Sequence, residues 1–494
     1  MQASATRLLE LLAAQGAYPV GVCADSRQLS PRELFLAFPG ATSDGRRFIP
    51  DAAGRGAAAV LWEKAGFAWD ETLDLANLPV EGLQGLAGHL AHELCGRPSE
   101  KLWLAGVTGT NGKTSVSQWL AVALTRLGRK CAVIGTLGNG FPGHLAPSAN
   151  TTPDAVALHR ALAGFLGQGA EAAAMEVSSI GLHQGRVNGA AISAAAFTNL
   201  SRDHLDYHGT LEAYAATKAL LFETPGLEYA VLNLDDAFGR DMAHRLAGSS
   251  VGRIGYSLSR DSADLEELVW AKGIQATRLG QRFTLCLGGQ EMPVDVALVG
   301  RFNLENLLCV AGLLRAAGVS PADIAYVLPQ LTPPLGRMQM LGGDGEPLVV
   351  VDYAHTPDAL EKALSALRTT AEVRGGKLVC VFGCGGNRDR GKRPIMGQVA
   401  ASLADRILLT SDNPRGEHPA AILKDIHAGA PSAEIIEDRG EAIRAVLLGA
   451  AVQDVILIAG KGHETYQETA GKRVHFSDAE QATNGFLARQ GVRP

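Results

Sequence analysis

One stretch constrains the fold of this chain more than any other. Residues 102–107 form a short apolar run typical of a buried strand, and residues 116–123 continue with apolar side chains at helical spacing. Between them lies a glycine-rich turn that ends in Gly112-Lys113-Thr114. Strand, glycine turn and helix start, in this order, present backbone N–H groups to a phosphate group. The stretch therefore predicts a phosphate-binding loop in an α/β sheet.

The spacing within the loop suggests a role for two side chains. Lys113 would reach the β- and γ-phosphates of a nucleotide, and the Thr114 hydroxyl would bind Mg²⁺. The strict form of the motif has a glycine where Val107 stands, whereas here the glycines fall at 106 and 109. An ordinary strand–helix turn with two glycines is the alternative. The strand before the turn and the helix after it favour nucleotide binding.

Composition excludes several classes of protein. The chain has 494 residues, which is too long for one core, and 46% hydrophobic with 19% charged residues indicates a globular protein. A net charge of −6 without any basic block argues against a nucleic-acid partner. The seven cysteines are scattered without zinc-ligand spacing, and neither a signal peptide nor an apolar run of about 18 residues is present. We expect a cytoplasmic enzyme without a membrane partner.

The order of predicted elements divides the chain into three. Short strands punctuated by turns occupy residues 1–98. Strands and helices alternate through residues 99–334, which predicts a parallel sheet, with an antiparallel insert at 251–299. The alternation restarts over residues 335–494, after polar linkers at 96–100 and 332–336. We predict an α/β chain with a small α/β N-terminal domain, a central P-loop-type domain with a mostly parallel sheet, and a C-terminal Rossmann-like doubly wound domain.

In such sheets ligands bind at the carboxyl ends of the strands, so polar residues there are candidates. In the central domain Glu176 ends an apolar strand and suits a second Mg²⁺ ligand beside Thr114; a buried glutamate bonded to backbone N–H groups is the alternative. The next strand runs into a loop that contains His204 and His208. That loop could hold another metal or order a substrate, but an equally polar loop is often only solvated.

Lys218 has an unusual place on the helix that follows this loop. Leu211, Tyr214, Lys218 and Leu221 fall on one helical face, so the amine should be partly desolvated, which disfavours its charged form. A neutral amine can react with CO₂ to give a carbamate able to bind Mg²⁺. A lysine that extends to solvent is the alternative, and the residues alone leave both open.

In the last third of the chain, four successive strand ends carry polar loops. They are residues 352–357, 383–390, 411–415 and 460–464. The arginines among them present the fork geometry that binds carboxylates. Four such loops are difficult to explain by stability alone, and they predict a ligand site.

Taken together, these motifs resemble the Mur ligase family over essentially the whole chain. The resemblance rests on Gly109-Thr110-Asn111-Gly112-Lys113-Thr114-Ser115, Asn150-Thr151-Thr152-Pro153, Met175-Glu176-Val177-Ser178-Ser179, Thr198-Asn199-Leu200, Lys218, Gly300-Arg301-Phe302-Asn303 with Asn306, Gly336-Arg337-Met338, Asp352-Tyr353-Ala354-His355 and Asp412-Asn413-Pro414-Arg415. It implies an ATP-dependent ligase of peptidoglycan precursor synthesis. Such enzymes phosphorylate the terminal carboxylate of a UDP-linked muramoyl peptide and join an amino acid to it.

The family pattern assigns a role to each matching position. It implies catalytic roles for Lys113, Glu176, His204 and Lys218, and Mg²⁺ ligands at Thr114, Glu176, His204 and the Lys218 carbamate. ATP contacts are implied at Gly109, Thr110, Asn111, Gly112, Lys113, Thr114, Ser115, Asn306, Arg337, Asp352 and His355. The uridine-nucleotide and muramoyl-dipeptide site would comprise Ser26, Gly40, Ala41, Thr42, Asn150, Thr151, Thr152, Ser178, Gln184 and Arg186.

The incoming amino acid is implied by the last domain. Residues 412–415 resemble the motif of the branch that adds meso-diaminopimelate to UDP-MurNAc-L-Ala-D-Glu, with a pocket of Arg388, Asp412, Asn413, Pro414, Arg415, Gly460 and Glu464. Diaminopimelate carries a second amino-acid centre, whose carboxylate an arginine can bind in bidentate fashion. Lysine lacks that carboxylate and would leave Arg415 unpaired.

Two other functions remain as alternatives. A folylpolyglutamate synthetase-like amide ligase would share the phosphate loop but lack a uridine-binding first domain. A P-loop ATPase switch would hydrolyse ATP without an acceptor amine and would give no role to Arg388, Arg415 and Glu464. We expect a monomer that acts on small molecules; domain orientation, affinities and regulation are not encoded in any motif.

Overall fold

The computed structural model describes residues 2–40, 43–259 and 265–491. The chain divides into two compact units. Unit 1 comprises Met1–Tyr256, Ser262–Glu267 and Gly312–Val319, and unit 2 comprises Ser257–Asp261, Leu268–Ala311 and Ser320–Pro494.

Unit 1 begins with a four-stranded parallel sheet in the order β1-β2-β3-β4. The strands are β1 (Val22–Cys23), β2 (Leu34–Ala37), β3 (Ala59–Glu63) and β4 (Asn77–Val80), and the helices are α1 (Gln2–Ala14), α2 (Ile49–Gly54), α3 (Leu83–Leu94) and α4 (Pro98–Lys101), with 3₁₀ turns at Ser26–Gln28 and Gly45–Phe48. Strand β4, which contains Pro79, lies at the edge of this sheet, where a proline is tolerated because it cannot donate a ladder hydrogen bond. The predicted linker at 96–100 is wrong, because Pro98 and Ser99 are buried and start α4.

Eight further strands of unit 1 lie side by side in the order β12-β11-β10-β5-β9-β6-β7-β8. They are β5 (Trp103–Thr108), β6 (Cys131–Gly135), β7 (Gly138–Phe141), β8 (His144–Ala146), β9 (Ala172–Glu176), β10 (Ala194–Phe197), β11 (Tyr229–Asn233) and β12 (Gly252–Ser257). The pairings are parallel from β12 to β6 and antiparallel from β6 to β8. The register sets Val107 beside Glu176 and Thr108 beside Phe197, so three strands end at one edge.

Helices connect the strands of this sheet. They are α5 (Lys113–Arg126), α6 (Ala155–Gly167), α7 (Ser179–His183), α8 (Leu205–His208), α9 (Leu211–Ala219) and α10 (Ala237–Arg245), with a 3₁₀ turn at Leu220–Glu223. The central strands β9 and β10 are rich in alanine and fully buried. Strands covered on both faces need continuous apolar sequence, which explains why they lack alternation.

Unit 2 contains an antiparallel set of three strands, a six-stranded sheet and a hairpin. An antiparallel set comprises β13 (Glu267–Thr277), β14 (Gly280–Leu287) and β15 (Gln290–Val296), followed by α11 (Arg301–Ala316), α12 (Pro321–Val327) and a 3₁₀ turn at Leu328–Gln330. A six-stranded sheet has the order β16-β17-β21-β18-β19-β20, with β16 antiparallel and the rest parallel. Its strands are β16 (Gln339–Gly342), β17 (Leu348–Asp352), β18 (Leu378–Phe382), β19 (Arg406–Leu409), β20 (Glu434–Ile435) and β21 (Val455–Ala459).

The six-stranded sheet is covered on both faces. Alternate residues of its strands enter two separate apolar clusters, with Val350 and Leu457 in one and Val349 and Ile456 in the other. The helices are α13 (Pro357–Arg374), α14 (Lys392–Leu403), α15 (Pro419–His427), α16 (Arg439–Gly449) and α17 (Asp478–Arg489), and the hairpin is β22 (Tyr466–Thr469) with β23 (Lys472–His475). This arrangement confirms the predicted doubly wound sheet.

One part of the predicted antiparallel insert is wrong. Residues 252–257 form a parallel neighbour of β11, whereas β13, β14 and β15 pair antiparallel with one another. The α/β class is confirmed, while the domain boundaries at 98 and 334 stay a prediction. Among the described helices, none combines the length and the apolar character needed to cross a membrane.

Candidate active site

The phosphate loop joins β5 to α5 and depends on glycine. Gly109 has φ of 148°, and a Cβ atom there would lie 1.9 Å from Thr198 Oγ1. Gly112 precedes the helix with φ of 88°. A Cβ atom does not fit at Gly109, so the loop backbone lies close to the neighbouring strand end, and the positive φ at Gly112 favours glycine there.

The loop that follows β10 holds the phosphate loop in place. Asn199 accepts from Thr110 N at 2.8 Å through its carbonyl and from Asn111 N at 3.0 Å through Oδ1, while Thr198 Oγ1 donates to the Asn111 carbonyl at 2.5 Å. The sequence pattern assigned no role to Thr198 or Asn199. The available signals were the motif Thr198-Asn199-Leu200 itself and its position at the end of the adjacent strand.

Lys113 and Lys218 both donate to the carbonyl of Gly109, each at 2.9 Å, and Lys113 also donates to the Thr110 carbonyl at 2.9 Å. The two amines therefore lie at the same loop. Lys113 is the first residue of α5, so its ammonium adds to the partial positive charge of the helix N-terminus.

Glu176 is the buried carboxylate at the end of β9. Thr114 Oγ1 donates to its Oε2 at 2.9 Å, and Thr136 donates to it through the backbone N at 2.7 Å and the hydroxyl at 3.1 Å. A Cβ at Gly135 would lie 2.2 Å from Glu176 Oε1, so this approach requires glycine. Thr136 was not predicted, although it too follows a strand.

These donors fit a hard cation. The carboxylate of Glu176 and the hydroxyl of Thr114 supply oxygen atoms only, which Mg²⁺ prefers. In the part of the chain that the structure describes, no three His, Cys, Asp or Glu side chains form a metal site. An ion here would complete its coordination with water and phosphate oxygens, as Mg²⁺ commonly does.

Lys218 is buried, as its helical position predicted. Its nitrogen lies 4.2 Å from the centre of the Tyr214 ring, and the side chain is 1% exposed. Burial, reinforced by Lys113, holds the pKa of Lys218 well below its ordinary value. The solvent-exposed alternative is therefore wrong. The predicted apolar stripe is incomplete, because Leu211 at the start of α9 is exposed.

His204 lies immediately before α8. It has a left-handed φ of 52°, its side chain is about half exposed, and Nε2 lies 3.6 Å from Asp203. Its ring centre is 6.3 Å from that of Tyr214, which underlies Lys218. Since both His204 and Lys218 lie near the Tyr214 ring of α9, His204 is on the Lys218 side of the site.

Most residues predicted to hold a peptide acceptor form one cluster next to Glu176. Thr152 is buried; its hydroxyl donates to the Glu176 carbonyl at 2.9 Å and accepts from Ser178 N at 3.0 Å. Arg186 donates to the Thr152 carbonyl at 2.8 Å and, through Nε and Nη2, to Gln184 Oε1 at 3.0 and 2.7 Å.

Thr151 is connected to Glu176 through Thr136. Thr151 Oγ1 lies 3.1 Å from Thr136 Oγ1, which itself contacts Glu176. Asn150, by contrast, is exposed. The hydroxyl of Thr136 thus joins the predicted metal ligand to the predicted acceptor site.

The predicted uridine site lies at the carboxyl ends of β1 and β2, which are parallel neighbours. Ser26 is buried, and its hydrogen bond helps to hold the pKa of Asp51 below its ordinary value. Gly40 N donates to the Ser43 carbonyl at 2.8 Å. Ala41 and Thr42 lie outside the described residues.

In unit 2, the end of β17 carries the predicted adenine-nucleotide residues. Asp352 accepts from Met338 N at 2.8 Å and from Ala354 N at 2.9 Å; burial raises its pKa and Arg337 opposes the rise. Arg337 lies over the Tyr353 ring at 4.9 Å. Burial lowers the pKa of His355.

Asn306 is the remaining predicted nucleotide residue of unit 2. It is buried in α11, whereas the other three belong to the segments around β16 and β17.

The loops after β19 and β21 interlock. Asn413 Nδ2 donates to Glu464 Oε2 at 2.8 Å, and Lys461 donates to Asn413 Oδ1 at 3.0 Å and pairs with Glu464 Oε2 at 3.1 Å. Asp412 is also buried, which raises its pKa. Gly460 has φ of 118°, and a Cβ atom there would lie 2.6 Å from Asp412 Oδ2. Four of the predicted pocket residues, Asp412, Asn413, Gly460 and Glu464, therefore lie together, and Lys461 joins them unpredicted.

Arg415 is fixed by its backbone. Its φ is 52°, its N donates to the Glu468 carbonyl at 3.0 Å, and Nη1 donates to the Gly386 carbonyl at 3.0 Å. The preceding residue, Pro414, is buried. Arg388 is exposed in the loop after β18.

A second unpredicted cation, Arg393, stabilises the loop after β18 through Glu417. Arg393 is fully buried and pairs with Glu417 and Asp425, each at 2.9 Å, while Glu417 accepts from Asn387 N at 2.6 Å. Arg393 and this backbone contact hold the pKa of Glu417 at about 2.

The fold and these clusters define a class. Unit 1 has a glycine loop before a helix and a buried carboxylate bonded to the loop threonine. Unit 2 has a polar pocket at the strand ends of a doubly wound sheet. These are features of a nucleotide-dependent α/β enzyme with a second substrate site.

Comparison with known proteins identifies the family. The description "Mur ligase family, catalytic domain" matches residues 20–93, "Mur ligase middle domain" matches 107–314, and "Mur ligase, glutamate ligase domain" matches 336–462. The chain belongs to the Mur ligase family.

Individual relatives are similar over nearly their whole length. UDP-N-acetylmuramoyl-L-alanyl-D-glutamate–2,6-diaminopimelate ligase of Chromobacterium violaceum is 50% identical over 476 residues, covering 95% of this chain and 94% of that protein. The protein of the same name from Ectopseudomonas mendocina is 52% identical, covering 94% of each. A solved structure of that name has a TM-score of 0.73 at 38% identity, covering 96% of this chain and 95% of the other.

A more distant likeness concerns the fold alone. Folylpolyglutamate synthase of Mycobacterium tuberculosis superposes with a TM-score of 0.60 at 19% identity, covering 76% of this chain and 91% of that one.

Proposed function

We propose that this chain joins meso-2,6-diaminopimelate to UDP-N-acetylmuramoyl-L-alanyl-D-glutamate at the expense of ATP. The names of relatives that are 50% and 52% identical over at least 94% of the chain support this function. The observation that carries the choice of amino acid is the pocket in unit 2, where one set of interlocked loops holds both the Arg415 guanidinium and the Glu464 carboxylate. The far end of diaminopimelate carries the matching carboxylate and ammonium.

The reaction requires activation of a carboxylate, which is a poor electrophile. The γ-phosphoryl group of ATP passes to the terminal carboxylate of the dipeptide and forms an acyl phosphate. The amine of diaminopimelate attacks the acyl carbon, and the tetrahedral adduct collapses to the amide and releases phosphate. Lys113, at the N-terminus of α5, offsets negative charge on the transferring group.

Magnesium is the metal that the oxygen donors suit, and we assign it to Thr114 and Glu176. When bound, the ion supplies positive charge that neutralises phosphate oxygens. Thr136 keeps Glu176 oriented through two hydrogen bonds, so the carboxylate is positioned before any ion binds.

We further propose that Lys218 carries a carbamate. The neutral amine adds to CO₂ and loses a proton, which leaves an anionic group beside the phosphate loop. Burial next to Lys113 supports this modification, because it favours the neutral amine. Lys218→Ala should abolish ligation, and short carboxylates should restore part of it, whereas Lys101→Ala at an exposed lysine should behave like wild type. Full activity without Lys218, or no rescue by carboxylates, would exclude the carbamate.

His204 is assigned to the second metal or phosphate position on the Lys218 side of the loop. The acceptor is assigned to the cluster of Asn150, Thr151, Thr152, Ser178, Gln184 and Arg186 and, for its uridine end, to Ser26, Gly40, Ala41 and Thr42. Adenine-nucleotide contacts are assigned to Asn306, Arg337, Asp352 and His355. We also propose domains at 1–98, 99–334 and 335–494, and a monomer. A cytoplasmic location is proposed as well, and it is supported by the seven cysteines, all within the described residues, because none of them forms a disulfide.

The decisive experiment measures phosphate release from ATP with a panel of amino acids and acceptors. Release should require both the UDP-linked dipeptide and diaminopimelate, and the product should gain the mass of diaminopimelate. Release without any amine would instead indicate a P-loop ATPase, and activity with glutamate and a folate acceptor would indicate a folylpolyglutamate synthetase-like ligase.

A further inference from the structure

Lys461 is a buried cation without a role in the proposed ligation reaction. It follows β21, and its side chain has no exposed surface. Its nitrogen donates to Asn413 Oδ1 at 3.0 Å, pairs with Glu464 Oε2 at 3.1 Å and lies 5.5 Å from the centre of the Tyr466 ring. A buried charge requires such partners, and both hydrogen-bond partners belong to the proposed amino-acid pocket.

These contacts leave one oxygen of Glu464 for a ligand. Among the described residues, Lys461 and Asn413 Nδ2 both bond Oε2, and Oε1 accepts no side-chain hydrogen bond. Asn413 cannot exchange its oxygen and nitrogen without loss, because Oδ1 also accepts from Glu468 N at 2.9 Å. The side chain of Glu464 is 18% exposed, so Oε1 is the acceptor that an incoming ammonium can use.

Lys461 also sets the charge of this pocket. Its ammonium offsets the Glu464 carboxylate, while burial raises the pKa of Asp412 and so disfavours a second negative charge there. Arg415, two residues after Asn413 in the same loop, contributes one further positive charge. The pocket therefore has little negative charge left to compensate an unaccompanied cation.

The two candidate amino acids differ in the charge that they bring. The far end of diaminopimelate carries one ammonium and one carboxylate, and its net charge is zero. The far end of lysine carries an ammonium only. A pocket in which Glu464 is already paired is thus suited to the zwitterion rather than to the cation.

We propose that Lys461 is a specificity-determining residue: by pairing with Glu464 and fixing Asn413, it makes the pocket select a zwitterionic side chain over a cationic one. This role rests on the proposed diaminopimelate ligase function. It is separate from that of Arg415, which offers the substrate carboxylate a partner, whereas Lys461 limits the attraction of the pocket for a bare ammonium.

The test is a charge series at this position. Lys461→Met and Lys461→Gln remove the charge, and the Gln amide can still donate to Asn413 and Glu464; Lys461→Arg keeps the charge. In both neutral variants, the ratio of kcat/KM for diaminopimelate to that for L-lysine should fall about tenfold, because the pocket gains one net negative charge. The ratio should stay near the wild-type value in Lys461→Arg, and the KM for ATP should stay unchanged in all three.

Each outcome has a distinct meaning. If the neutral variants lose both activities by the same factor, or if Lys461→Arg changes the ratio as much as they do, Lys461 has only a structural role. If Lys461→Met does not show a cooperative unfolding transition, the kcat/KM ratios of Lys461→Gln and Lys461→Arg decide between a specificity role and a structural role. If wild type itself does not ligate diaminopimelate, the proposed function fails and this role fails with it.

Discussion

Lys218 Nζ donates a 2.9 Å hydrogen bond to the carbonyl oxygen of Gly109, across 109 residues of sequence. The same carbonyl accepts from Lys113. Two amines on one oxygen repel each other when both are charged, and Lys218 is the more buried of the two. The chain thus stabilises a neutral lysine at its phosphate loop.

The depressed pKa of Lys218 makes folding stability depend on pH. Between that depressed pKa and the ordinary lysine value of 10.5, the unfolded chain holds a proton that the folded chain lacks. Stability due to this group therefore rises with pH in that window and is lost as the pH falls through it. Urea unfolding in CO₂-free buffer should show wild type gaining stability relative to Lys218→Met as the pH rises through this window towards 10.5. A constant difference across the window would contradict the burial of an unprotonated amine.

Glu176 should be required for turnover but not for folding. Glu176→Gln keeps the size of the side chain and can still accept from Thr136, yet it removes the negative charge proposed to bind Mg²⁺. We expect kcat to fall about a thousandfold, with a higher Mg²⁺ concentration for half-maximal rate. Glu171→Gln is the matched control, because Glu171 is an exposed glutamate directly before β9. Wild-type kinetics for Glu176→Gln would remove Glu176 from the site.

Gly109 and Gly128 allow a matched test of the loop geometry. Both have positive φ, but a Cβ at Gly109 would contact Thr198 at 1.9 Å, whereas one at Gly128 would meet nothing within 4 Å. Gly109→Ala should lower the free energy of unfolding by about 1–3 kcal/mol through backbone strain, and the clash with Thr198 should lower it further. The variant should show no ATP binding in calorimetry. Gly128→Ala should cost about 1–2 kcal/mol and leave ATP binding intact. Equal ATP affinity in the two variants would show that the loop can adjust.

Arg415 should act on the amino acid alone. Arg415→Lys keeps the charge but loses the fork that binds a carboxylate in bidentate fashion. We expect the KM for diaminopimelate to rise about tenfold or more, with the KM for ATP unchanged. Arg444→Ala, at an exposed arginine of α16, serves as the control. If the KM for ATP rises in parallel, Arg415 is not part of a dedicated amino-acid pocket.

The strand ends were the part of the site that sequence could locate. Glu176 and Asp352 terminate apolar runs, and Lys218 interrupts an apolar helical face, so each stands out against a simple pattern. Thr136 and Lys461 follow strands as well, but a threonine or a lysine in a turn has no pattern that separates it from solvated residues. Their roles depend on hydrogen bonds to side chains 40 and 48 residues away.

The sequence by itself determined the order of strands and helices, the glycine loop and the α/β class, because these follow from local periodicity and from backbone conformations that only glycine adopts. Tertiary structure alone decided which polar side chains meet: that Thr136 orients Glu176, that Asn199 holds the phosphate loop, and that Lys461 is buried against Glu464. Such contacts join residues that are distant in the chain, and their strength depends on burial and on the neighbouring charges that only the folded chain brings together.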